Sequence, residues 1–154
     1  MRVDLGRFAV YVGPSTGGVD AALWEILHTD ATVEALVGTG IYPGFVPQHA
    51  SMPAIVYQRI SAVRTLTFGG PLGYVDARYQ VTAWDDSFGD CLSLADAIRL
   101  RLDGYRGTVG SIVVHGVSLE NQSDVAEEPA ESQQRLRWGC RMDFMLTHAE
   151  TPGV

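Results

Sequence analysis

The sequence predicts an α+β fold: two layers, an antiparallel-rich sheet of four to five strands, and two helices packed on one face. Three observations carry this. Val75, Ala77, Tyr79, Val81 and Ala83 alternate with Asp76, Arg78, Gln80 and Thr82, the period of a strand with one wet face. A second run does the same: Leu136, Trp138, Cys140, Met142, Phe144 and Leu146 against Arg135, Arg137, Gly139, Arg141 and Asp143. Strands do not alternate regularly with helices, which argues against a doubly wound parallel sheet.

The elements follow in order. Residues 1–18 read as an extended lead-in, with Phe8 to Val12 as a short strand closed by Gly13-Pro14 and Gly17-Gly18. A first helix begins near Val19-Asp20, where Ala22, Leu23, Ile26 and Leu27 make an apolar stripe. Thr29 and Asp30 are capping residues, so a short helical piece restarts there and runs to Val37, with Gly38 and Gly40 as its stop. Ile41 to Pro47 is extended, and Pro43 and Pro47 confine it to a sheet edge or a loop. Pro53 to about Thr67 is rich in β-formers and ends at Gly69-Gly70-Pro71.

After the alternating strand, Asp85-Asp86-Ser87 opens the second main helix, with Ser87 and Asp90 in capping spacing. Cys91, Leu94, Ala95, Ile98 and Leu102 form its inner side, Asp96 and Arg99 pair outside, and Gly104 ends it. Ile112 to Leu119 is a strand. Residues 120–134 then read as a polar connection with Glu120, Asp124, Glu127, Glu128 and Glu131 and no base. The predicted domain spans 19–148, flanked by the 1–18 extension and a 149–154 tail.

The 154 residues suit one domain with a sizeable core. Hydrophobic residues are 46% and charged residues 19%, a globular balance. No apolar run reaches the roughly 18 residues of a membrane span. All eleven basic residues are Arg, and the net charge is −7, which disfavours a broad grip on nucleic-acid phosphates. Cys91 and Cys140 form no CxxC and read as buried free thiols.

Reactive constellations are missing. His28, His49, His115 and His148 make neither HxH nor HExxH spacing. His115, between Val113 and Val117, reads as a satisfied strand histidine. There is no GxSxG, no GxxxxGK[ST] and no Lys at all. Asp85-Asp86 is the best carboxylate pair, with helix capping set against acid–base or cation chemistry. No catalytic, metal or cofactor residue is assigned.

The remaining candidates are surfaces. Arg64, Leu66, Phe68, Leu72 and Tyr74 surround the Gly-Gly-Pro break, and apolar side chains at a hairpin tip mark a subunit or partner interface. Folding back onto their own sheet is the other reading. Arg135, Arg137 and Arg141 share a strand face and either meet a partner or pair across strands with Asp76 or Asp143. The acidic residues of 120–134 are either a solvated connection or a negatively charged lining.

The series of segments resembles the tail terminators, the tail-completion proteins of long-tailed bacteriophages and gene transfer agents. The matching pieces are Ala35-Leu36-Val37-Gly38, Ile41-Tyr42-Pro43-Gly44, Val46-Pro47-Gln48, Pro53 to Ser61, Tyr79 to Trp84, Ala95 to Ile98 and Leu102-Asp103-Gly104. They cover about residues 19–148. The resemblance implies a non-enzymatic virion protein, assembled in the bacterial host cytoplasm and sited at the head-proximal end of the tail. It implies a ring of its own copies, a hexamer, that ends the stack of tail tube protein and meets a head-side connector or stopper protein. DNA then passes through the lumen without specific binding, so an acidic wall is an advantage; residues 120–134 are the segment expected to form part of it. Family members usually open near the first helix, so residues 1–18 are either an arm reaching a neighbour or an upstream start. Another head–tail neck joining protein is the near alternative. A small α+β enzyme or ligand-binding module using Asp85, Asp86 and His115 is the alternative of a different class.

Overall fold

The computed structural model describes residues 2–5, 8–11, 18–127 and 136–150, with residues 2–5 and 8–11 and Pro71 and Leu72 described by their backbone alone. Two short strands come first, β1 (Arg2–Leu5) and β2 (Phe8–Tyr11), paired antiparallel in a sheet of their own. Three helices follow the expected punctuation. α1 is Gly18–His28 and α2 is Ala31–Val37, whose Asp30 side chain accepts from the Val33 amide and whose end is Gly38. α3 is Phe88–Leu102, capped by Ser87, which accepts from the Asp90 amide.

The main sheet has six strands rather than four to five, and three helices rather than two accompany it. Its members are β3 (Ile41–Pro43), β4 (Ala54–Thr67), β5 (Gly70–Asp85), β6 (Gly107–Val109), β7 (Ile112–Glu127) and β8 (Arg137–Ala149), in the order β3-β4-β5-β8-β7-β6. Only β3 on β4 is parallel; every other neighbour is antiparallel. The extra members are short: β3 and β6 have three residues each, too few to show a period. Pro43 sits at the edge, as its missing donor requires.

The larger correction concerns the acidic stretch. β7 does not stop at Leu119 but runs to Glu127, paired to β8 through Glu127 opposite Arg137. Glu120, Asp124 and Glu127 are therefore strand residues, while Glu128, Glu131 and Arg135 lie outside the described ones. The pairing partner, not local propensity, holds this polar run extended. The ladder is interrupted between Val114 and Gly116 and between Leu119 and Asn121, so no single alternation spans the strand.

The helices lie on one face of the sheet. The core joins Leu23, Ile26 and Leu27 of α1 and Leu94, Ile98 and Leu102 of α3 to Tyr79 and Val81 of β5 and to Met142, Phe144 and Leu146 of β8. Cys91 and Cys140 are buried free thiols within it. Trp138 is only half-buried, at the sheet end where its ring meets Phe88 at 4.9 Å, so it borders the core rather than filling it.

Candidate assembly surfaces

β4 changes character along its length. Ala54, Ile55, Val56 and Tyr57 are buried; from Gln58 onward every residue but Ala62 is exposed. The β4–β5 hairpin therefore projects beyond the helix layer. Ile60, Val63 and Leu66 are more than half in solvent or at half, and Phe68 at the turn is fully exposed. Leu66 and Phe68 thus do not fold back onto their own sheet, while the side chain of Leu72 lies outside the described residues. The pairing breaks between Arg64 and Leu66, and Gly73 takes φ +81° there, a left-handed conformation suited to glycine.

At the base of this arm the sheet is left uncovered on its helix side. A groove of about 940 Å³ lies there, bordered by Val19, Arg59, Ala62, Tyr74, Ile112 and His115. His115 is exposed, with its ring 5.1 Å from that of Tyr74 in an edge-on contact. His115 is a residue of strand β7, as expected, at the first interruption of its ladder. Arg64 is held by Glu150 at 3.0 Å, an exposed pair.

The opposite face of the sheet is polar. Arg137 and Arg141 come together there with Gln58, Gln80, Thr82 and Glu127 around a hollow of about 340 Å³. Pairing with Asp76 or Asp143 does not form: Asp76 accepts from Thr147 at 2.6 Å, and Asp143 from Gln80 at 3.4 Å. Arg141 is flanked by Thr82 and Ser123 instead. On this face Gly139 makes a close approach that sequence reading missed. A Cβ there would stand 2.8 Å from the Trp84 ring and 2.9 Å from a Val125 methyl, so only glycine lets Trp84 lie across the strand.

The expected enzyme positions do not converge on a reactive centre. Asp85 accepts from the Asp86 amide at 2.7 Å, a local turn ahead of α3, and Ser87 rather than either carboxylate caps the helix. His115 lies at the groove by the β4–β5 arm, away from that turn. Among the described residues no group of His, Cys, Asp and Glu is placed to hold a metal ion. Burial, with the nearby Cys140 and Asp85, pushes the Cys91 thiol up to about 11, and burial also raises Cys140 to about 11. Such thiols are protonated and unreactive near neutrality. Tyr79 is raised further by burial and by donating its hydroxyl to Asp20.

With this geometry in hand, the comparisons decide the family. The family described as Tail completion protein gp17 matches residues 21–140. The chain belongs to that family. No curated protein matches the sequence. Among solved structures, a chain from "Virion of native gene transfer agent (GTA) particle" has the same fold, with a TM-score of 0.64 at 15% identity, covering 84% of this chain and 93% of that one. This tail-completion protein is a structural component of a phage-type tail, and its exposed arm and polar sheet face are surfaces suited to assembly.

Proposed function

We propose that this tail-completion protein closes into a ring at the head-proximal end of the tail tube, stops tube polymerisation there, and offers its other face to the head-side connector. The observation that carries the reading is the β4–β5 arm, apolar and fully in water at Phe68, in a chain of a tail-completion family. A lone soluble domain gains nothing from such an arm; a subunit inserting it between neighbours gains buried apolar surface. A cyclic assembly needs a heterologous interface, one surface on each side of the subunit, and six copies are the number proposed. The 19–148 domain builds the ring, with residues 1–18 as an arm beside it. DNA passes through the lumen, and the acidic residues that follow β7 in the sequence, Glu128 and Glu131, are proposed for part of its wall, where like charge keeps phosphates moving. Assembly takes place in the host cytoplasm with no catalytic step.

Electron microscopy of the purified protein mixed with tail tubes tests this. The expected image is a ring on one end of each tube, and particles lacking the protein should carry tails of uncontrolled length. Normal tail length without the protein overturns the reading. Density at the head opening with bare tube ends reassigns it to another part of the neck.

A further inference from the structure

The main sheet ends in two free edges that are unlike each other. β3 covers β4 only along Ile55–Tyr57, leaving the edge from Gln58 to Thr67 unpaired among the described residues. That edge carries Arg59 and Arg64 and no acidic residue. On the other side, β6 covers β7 along Ile112–Val114. The loop after α3 then takes the next positions: the Gly104 amide donates to the Val117 carbonyl, and Asp103 accepts from the Leu119 amide. The β7 edge from Glu120 to Glu127 is unpaired among the described residues and carries Glu120, Asp124 and Glu127 with no basic residue.

Unpaired edges of eight to ten residues are templates for another strand, and proteins that stay monomeric blunt them with proline, bulges or a covering segment. Neither free length contains proline; the β4 length has ladder irregularities between Arg59 and Ser61 and between Arg64 and Leu66, and the β7 length has one only at its start, between Leu119 and Asn121. Each carries side chains of one charge sign, with Arg59 the unmatched one on β4, since Arg64 is paired with Glu150. Two β4 edges repel, two β7 edges repel, and a β4 edge attracts a β7 edge.

We propose that the free edge of β4 in one copy pairs antiparallel with the free edge of β7 in the next, making the sheet continuous across the subunit joint. This deepens the ring reading and rests on it. Three features fit. β4, β5, β8 and β7 alternate in direction, so a copy added along the sheet presents its β7 antiparallel to β4. Arg59 lies level with Tyr79 and Asp124 level with Cys140; both partners belong to the helix-side core, so the two charges meet on one face. Arg59 has no ion-pair partner among the described residues. Finally, the free lengths sit at opposite ends of the sheet. Ala62 stands level with Leu146, and Ser123 with Arg141, an offset of about 17 Å at 3.3 Å per residue. Neighbours joined this way are staggered along their strands, as closing a sheet on itself requires, and β3 and β6 become the stops that set the register.

The test is a mixing experiment on the full chain. One variant reverses the β4 edge (Arg59→Glu with Arg64→Glu), the other the β7 edge (Glu120→Arg with Asp124→Arg). Melting curves close to wild type establish that each folds. Sedimentation, alone and with tail tubes, reads assembly. Each variant alone should sediment as a single chain where wild type forms a ring. Mixed one to one they should form an alternating ring, because every β4–β7 joint then again joins opposite charges. Rings from either variant alone, or no ring from the mixture while wild type makes one, overturn the edge joint and leave the ring standing. A wild-type chain that stays single under both conditions overturns the ring, and the joint with it.

Discussion

The two ends of β4 show what the fold is for. At one end Ala54–Tyr57 are buried, Ile55 and Tyr57 of them in the core beneath the helices; at the other, Ile60, Val63 and Leu66, with Phe68 at the turn beyond, stand in water. The apolar residues at the two ends are of similar kinds, aliphatic and aromatic. The difference is the helix layer, which covers one and stops short of the other. Among the described residues nothing covers the apolar side chains of the outer half.

Substitutions sharpen that contrast, and their effects on stability should fall from the sealed end outward. Phe144→Ala empties a core position that is 1% exposed and should cost about 3–5 kcal/mol in denaturant unfolding. Trp138→Ala, at the border with Phe88, should cost clearly less, about 2 kcal/mol; an equal loss at both sites would move Trp138 into the core. Gly139→Ala forces Trp84 and Val125 apart and should cost about 1–3 kcal/mol, with the change visible in Trp84 fluorescence. Unchanged stability there would mean that the Trp84 ring does not lie against the strand.

The sealed half should also be sensitive to alkali. Unfolded thiols ionise near 9 and an unfolded phenol near 10; in the fold both thiols rise to about 11 and Tyr79 higher still. The folded chain thus holds more protons than the unfolded one above about pH 9, so its stability is complete below that point and falls as pH rises through 9 to 11 and beyond. Urea midpoints between pH 8 and 11 measure this. Tyr79→Phe should lower the unfolding free energy by about 1 kcal/mol at pH 8 and flatten the alkaline decline. At the wet end, Leu66→Ser with Phe68→Ser should leave the melting curve within about 0.5 kcal/mol of wild type while abolishing tube capping. A large loss of stability would show that the arm packs on its own domain.

Much of this was readable in the sequence, and the limits have physical causes. Asp30 and Ser87 announced α2 and α3 because capping is local chemistry. The alternation of Val75 to Ala83 gave both strand and buried face, since β5 is bonded on both sides and its period is unbroken from there. β7 past Leu119 was not readable: its charged residues favour solvent, and only β8 makes them a strand. The Gly139 cradle was invisible because Trp84 reaches it from a neighbouring strand 55 positions away in sequence. Of the candidate surfaces, the arm was legible from Leu66 and Phe68 beside a Gly-Gly turn. The free β4 and β7 edges were not, since an unpaired edge is a property of topology.

The arm has a mechanical consequence. β5 is bonded to β4 on one side and to β8 on the other from Tyr79 to Trp84, and these bonds run across the strands. A tug on the turn at Phe68 along the hairpin loads both ladders in shear, with many bonds resisting together, whereas a sideways pull would peel them one by one. A neighbouring chain that gripped the arm along its length would therefore meet it in its stiff direction.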